Sequence, residues 1–365
     1  MYDAPMASMK GNSYQLHRVA LAPLLPNTGE ADIAKACKAV ASFGEQPFLD
    51  FLLQQGLGPM WSKVLEGSDD AHPLTKAFKD TLHQARMDTT GTYLIHRHKL
   101  TQIKAILAEA NISHVVYKGA DTRERLYTEP ALRPAVDIDI LVPEQQKVAA
   151  IKAFKQRGFD LYTSADIISH EANLVKGKTS IDLHWDILRP GRTRLSMVNA
   201  LLESRVDYGS HWGMSDEATL FIMLVHPVFA KYGTTPHASL MRMVDLAMLL
   251  SKSDLNWQAV LRLLNRAGLK TAAWITLQWY ELLTHLEPPS QLVAAIKPGA
   301  LRQKYLNYWL EKNLSSKLLE KPIYVQLGFT LPAHDRFSDA IRAVRRAREL
   351  RHHQEADLQA LLLQT

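Results

Sequence analysis

The chain has 365 residues, 47% of them hydrophobic and 22% charged, the make-up of a soluble globular protein with room for two or three domains. Its net charge of +6 admits an anionic ligand but does not demand nucleic acid as a partner. Cys37 is the only cysteine, which excludes an intrachain disulfide and points to a reducing compartment, most simply the cytoplasm.

No apolar run reaches the roughly 18 residues of a membrane span, so no membrane partner is expected. Residues 19–25 are too short, and too broken by Pro23, to form the apolar core of a signal peptide. The polar residues 1–12 predict a disordered start. Short helices are expected between 32 and 65, where Phe48, Phe51, Leu52 and Leu57 share a stripe that Gly56 and Gly58 interrupt. Pro73 suits an early helical position, and 74–110 predicts one long helix or two. Its last turns carry Leu100, Ile103, Ile106 and Leu107 at the spacing of a helix packed on a sheet.

A sheet is expected to begin there. Residues 114–117 read as a short apolar strand, and Lys118-Gly119-Ala120 leads from it into a helix over 121–127. A glycine at such a turn lets the backbone approach a phosphate, and the helix N-terminus offers free N–H groups and a positive dipole end. Lys118 adds a point charge. Residues 136–142 alternate within a β-branched run and predict a strand, with Asp137 and Asp139 on one face and Ile138 and Ile140 facing a core. A helix over 144–156 turns Val148, Ile151 and Phe154 inward, Gly158 caps it, and 159–162 is the next strand. Lys176-Gly177-Lys178 reads as a tight hairpin turn between strands at 173–175 and 179–185. The second of these puts Asp182 and His184 on one face, with Asp186 as a substitute for Asp182. If the two acid-bearing strands are neighbours, three carboxylates converge, which is costly unless a cation neutralises them. Without it, neutralising one acid, as in Asp137→Asn, is expected not to destabilise the fold. Mg²⁺ is the natural guest for oxygen ligands, with Mn²⁺ as second choice. A phosphate cradle facing such acids is the equipment of nucleotidyl transfer.

From residue 193 onward the pattern predicts helices only, at 218–229 with His226, 240–251 with Asp245, 257–268, 271–286, 290–296 and 300–319. Trp257, Trp274, Trp279 and Trp309 fall at packing positions and read as core rather than as a base-stacking platform. The tail carries Arg342, Arg345, Arg346, Arg348 and Arg351, but Glu349, Glu355 and Asp357 are interleaved, so it reads as a solvated helix rather than a nucleic-acid site. The expected fold class is α+β, a small mixed sheet with helices on one face. It divides into a helical N-terminal region at 1–98, a core at 99–190, an all-helical domain at 191–335 and a basic helical tail at 336–365.

Between about residues 100 and 185, the motifs K-G-A, L-Y, L-R-P, D-I-D-I-L-V, R-G-F and I-D-L-H-W resemble the nucleotidyltransferase β-polymerase superfamily, and more narrowly a poorly characterised bacterial branch of it. The better-known members carry Gly-Gly or Gly-Ser where this chain has Lys118-Gly119. The resemblance implies transfer of an NMP from an NTP to a hydroxyl acceptor with release of pyrophosphate. It implies Asp137, Asp139 and Asp182 as catalytic metal ligands, with Asp182 as general base. Lys118, Gly119, Arg133 and His184 are the candidates for nucleotide contact. Arginine suits bidentate phosphate binding, and Arg123 and Arg125 compete with Arg133 for that role, while His226 reads as a core histidine. The alternative is a catalytically silent nucleotide-binding or regulatory module of the same fold. The acceptor stays open between a protein hydroxyl, a small molecule, a sugar and an RNA end.

Overall fold

The computed structural model describes residues 14–66, 73–162, 170–229, 240–346 and Glu349. The start expected to be disordered, at 1–12, and most of the basic tail, with Arg348 and Arg351, lie outside them. Four helices open the described chain: α1 (Gln15–Leu21), α2 (Glu30–Val40), α3 (Glu45–Gln54) and α4 (Gly58–Val64). The next, α5 (Lys76–Glu109), has no proline to stop it and runs unbroken for 34 residues, about 51 Å at 1.5 Å per residue. Thr75 caps it, its Oγ1 accepting from the Phe78 N–H at 3.3 Å. Its two halves bury different faces. Phe78 and Leu82 join the core of the N-terminal helices, whereas Leu100, Ile103, Ile106 and Leu107 lie under the sheet.

The strands are β1 (Val115–Tyr117), β2 (Ile138–Leu141), β3 (Asp160–Tyr162), β4 (Glu171–Lys176), β5 (Thr179–His184), β6 (Arg205–Asp207) and β7 (Trp212–Met214), with α6 (Gly119–Leu126), α7 (Lys147–Gln156) and α8 (Val198–Glu203) between them. They form a single mixed sheet in the order β3-β4-β5-β2-β1-β7-β6. β2 runs antiparallel to β1 and parallel to β5, which sets Asp139 level with Asp182. β4 and β5 join through a two-residue loop whose first residue, Gly177, takes a φ of +58° that glycine adopts without strain. That pairing puts Asn173 opposite Asp182 and Glu171 opposite His184.

One face of the sheet is apolar. Ile138, Ile140, Ile181, Leu183 and Leu174 pack against Ile151 and Phe154 of α7 and the end of α5, each contributing about 1.5–3 kcal/mol by burial. A slip of one residue would turn Asp139 into this core, so the Asp–Ile alternation itself pins the register.

The reading of helices only beyond residue 193 needs correction. β7 pairs in parallel with β1 at Val116↔Gly213, and β6 pairs antiparallel with β7. Three-residue strands are too short to display a period of two, so an existing sheet edge decides their conformation. The helices that follow are α9 (Asp216–Phe229), α10 (Met241–Leu250), α11 (Trp257–Ala267), α12 (Lys270–Thr284), α13 (Ser290–Ile296), α14 (Ala300–Glu311) and α15 (Pro322–Val325). Trp274, Trp279 and Trp309 are buried among them and Trp257 packs against the same cluster, as core. The N-terminal helices close on this mass, with Arg18 Nε donating to Leu282 O at 2.7 Å. Both helical parts thus share one core in front of the polar face of the sheet. Among the described residues no helix is long and apolar enough to cross a membrane.

Candidate active site

β1 ends at Tyr117 and α6 starts at Gly119, so Lys118 must turn the chain within one residue. It does so at φ +55° and ψ −137°, a region crowded for any residue with a Cβ and worth about 1–3 kcal/mol of strain. Its Nζ reaches Asp139 on β2, 2.5 Å from Oδ1. Two variants that both lack the ammonium isolate the backbone contribution: Lys118→Gly should be more stable than Lys118→Ala by about 1 kcal/mol. Equal midpoints in chemical denaturation would show that the turn stores no strain.

Asp139 is buried, and its Oδ1 also lies 2.9 Å from His184 Nε2. Burial alone would raise its pKa, but the Lys118 ammonium and His184 hold it well below the usual carboxylate range. Asp182, half-buried on the neighbouring strand, accepts from Asn173 Nδ2 at 2.7 Å. Asp139, Asp182 and His184 present ligand atoms within 4.8 Å of one another. Asp137 lies one residue ahead of β2, half-buried on the same wall but outside that set. Charge and donor type fit a hard divalent cation, and the ammonium on Asp139 marks where positive charge is needed. The expected repulsion among bare acids is relieved within the chain, because Lys118 neutralises Asp139 and Asn173 donates to Asp182.

His184 links this group to a second carboxylate, its Nδ1 lying 3.1 Å from Glu171 Oε2 without the alignment of a hydrogen bond. The His184 ring holds the Glu171 pKa at about 2 against the opposing effect of burial. Burial and Lys118 push His184 down, but Asp139 and Glu171 outweigh them and its pKa ends above 6.5. Beside it His170, with ring centroids 5.7 Å apart, is pushed down to about 3 by burial and then by the His184 charge. The signs give a pH window. The depressed Glu171 contributes stability above its ordinary 4.5 and loses it as pH falls toward 2; the raised His184 contributes fully below its ordinary 6.5 and loses it as pH rises through its folded value. The difference in melting temperature between the parent and Glu171→Gln, in EDTA, should therefore be largest between pH 4.5 and 6.5. A difference that does not vary with pH would remove the coupling.

Arg133 is committed to the helical domain. Its Nε and Nη2 donate to Asp245 Oδ1 and Oδ2 at 3.2 and 2.6 Å, and the Tyr127 hydroxyl donates to the same carboxylate at 2.6 Å. Its Nη1 donates to Pro134 O at 2.7 Å and fills the space a Cβ on Gly119 would need. Gly119 is thus required for the close approach of a guanidinium. Arg125 is tied to Asp121 and Asp216, Arg123 is buried against the Tyr93 ring, and neither lines the cleft. Asp186 falls beyond the end of β5, where the alternation stops, and burial pushes its pKa up to about 6.

These parts open onto a cleft of about 960 Å³, at the upper end of the range for small-molecule sites. The polar sheet face forms one wall, α3 and α4 a second through Leu53 and Gly58, and α9 and α10 a third through Met223 and Arg242. Asp137, Asp139, Asp182, Lys118, Gly119, Arg133 and His184 all line it, as does His226, whereas the competing Arg123 and Arg125 and the substitute Asp186 do not. Sequence reasoning missed Glu171, Asn173, Asp245 and Arg242. The first two were within reach, since a two-residue loop at 177–178 already sets them opposite His184 and Asp182. For Asp245 and Arg242 no local signal existed.

A mixed sheet whose strand turns through a glycine into a helix, with level carboxylates on two adjacent strands, is consistent with a nucleotidyltransferase core. Residues 41–285 match a family described as an uncharacterised nucleotidyltransferase, and the chain belongs to that family. The match takes in the sheet and all three walls of the cleft. No curated protein matches the sequence.

Proposed function

We propose that this protein transfers the NMP of an NTP, with ATP the first to test, to a hydroxyl acceptor in a Mg²⁺-dependent reaction that releases pyrophosphate. The observation that carries this reading is the level pairing of Asp139 with Asp182, with Lys118 reaching Asp139 from the helix-opening turn. Asp137, Asp139 and Asp182 would hold the metal, Mn²⁺ being an alternative guest, and when bound it neutralises the triphosphate and the charge that builds on the reacting oxygens. Asp182 is the more exposed of the level pair and accepts the proton of the acceptor hydroxyl, while Asn173 orients its carboxylate. Lys118 exchanges Asp139 for phosphate oxygens, and the free N–H groups at Gly119 face the same anion. His184 keeps Asp139 in its rotamer, and Arg133, packed on Gly119, holds the turn beneath the nucleotide. A cytoplasmic setting suits the reading, since Cys37 is a free buried thiol.

The test is incubation with α- and γ-labelled NTPs, Mg²⁺ and a cell lysate. α-Label on a macromolecule or small hydroxyl compound, with γ-label in pyrophosphate, is the expected result. A thermal shift with NTP and Mg²⁺ but no pyrophosphate release from any lysate would favour a silent nucleotide-binding module. No shift with any NTP would remove both.

A further inference from the structure

Arg242 opens α10 and lines the cleft half-buried, on the wall opposite the sheet. Its hydrogen bond runs from Nη1 to His226 Nδ1 at 3.1 Å, and among the described residues it makes no ion pair. A guanidinium has only donors, so His226 Nδ1 must accept. The histidine therefore steers Arg242 without neutralising it, and burial keeps that ring uncharged by pushing its pKa well below 6.5. The natural helical partner for Arg242 is Asp245, three residues on. Both Asp245 oxygens are taken by Arg133, and Tyr127 shares one of them. The residues just before α10, at 230–239, include no Asp or Glu. Burial, together with Arg133, outweighs Asp139, Asp245 and Asp137, which act on Arg242 only through space, so this half-buried cation favours the arrival of a further anion. The planar fork of arginine matches phosphate oxygens two at a time.

We propose that Arg242, steered by His226, is a phosphate clamp supplied by the helical domain, gripping the polyphosphate of the nucleotide and of the departing pyrophosphate across the cleft from Lys118. The inference rests on the nucleotidyl-transfer reading for its ligand class, while the anion site itself is tested separately from turnover. The two cations stand on different elements, Lys118 on the turn after β1 and Arg242 on α10. A polyphosphate held by both draws the helical domain and the sheet onto one ligand.

The experiment is calorimetric titration of inorganic pyrophosphate in EDTA, and of ATP with Mg²⁺, into the full chain and into Arg242→Gln and Arg242→Lys. Pyrophosphate affinity should fall by about tenfold or more in Arg242→Gln, and Arg242→Lys should regain part of it. Should Arg242→Gln fail to fold, the parent carries the test: arginine modification by phenylglyoxal, mapped by mass spectrometry, should be suppressed at Arg242 by pyrophosphate. Parent-like pyrophosphate affinity in Arg242→Gln, absence of pyrophosphate binding by the parent, or no protection at Arg242 would each overturn the clamp. Loss of pyrophosphate binding in a protein that never transfers α-label would leave the clamp standing and remove nucleotidyl transfer. Unimpaired transfer by Arg242→Gln would do the reverse.

Discussion

Asp139→Asn is expected to abolish nucleotidyl transfer and to destabilise the fold at the same time. The Asp139 carboxylate is the acceptor for both the Lys118 ammonium at 2.5 Å and His184 Nε2 at 2.9 Å. An amide of the same volume leaves the Lys118 ammonium without its counter-charge and His184 without its carboxylate partner, at a site where the Asp139 side chain is 6% exposed. Breaking a buried pair from one side costs about 3 kcal/mol, and loss of an electrostatic element of this kind slows chemistry by about 10²–10³-fold or more. Asp182→Asn makes the internal comparison. It should abolish transfer equally but change stability little, because Asp182 is half-buried and paired with a neutral amide donor. The measurement is a denaturant midpoint in EDTA beside a pyrophosphate-release rate for each variant. An Asp139→Asn protein as stable as its Asp182→Asn counterpart would show that the Lys118 contact does not hold the metal-free site together.

Arg133→Ala, in the loop before β2, and Asp245→Ala, on α10, should both be strongly destabilising, each costing about 3–5 kcal/mol. The guanidinium and carboxylate side chains are 11% and 4% exposed, and they meet through two parallel hydrogen bonds. Each single variant buries the unpaired partner, whereas the double variant removes both charges, so it should cost clearly less than the sum of the two. Transfer should fall in all three, since Arg133 Nη1 occupies the space beside Gly119 and holds the turn that carries Lys118. A double-mutant cycle on denaturant midpoints reads the coupling directly. A coupling near zero would reduce Arg133 to a surface arginine that meets Asp245 only in passing.

The hairpin shows how far local rules reach. Gly177 in a two-residue loop sets Lys176 against Thr179, and counting back places Asn173 against Asp182 and Glu171 against His184. Both contacts follow from the register that this turn fixes. The strands β6 and β7 mark the opposite limit, because three residues carry no periodicity and take their form from the free edge of β1.

What the amino-acid order determined by itself was therefore everything that follows from a period of two or from a short turn. The side of the sheet on which Asp137, Asp139, Asp182 and His184 lie, the apolar side opposite, and the sharp Lys118-Gly119 entry to α6 are all properties of five or six consecutive residues. The parallel pairing that levels Asp139 with Asp182, the ammonium of Lys118 on Asp139, the Arg133–Asp245 bracket and the Arg242–His226 contact belong to tertiary structure alone. They join residues 16 to 112 positions apart. Such pairings are selected by which burial leaves the fewest charges unpaired across the whole core, and no stretch of chain carries that balance within itself.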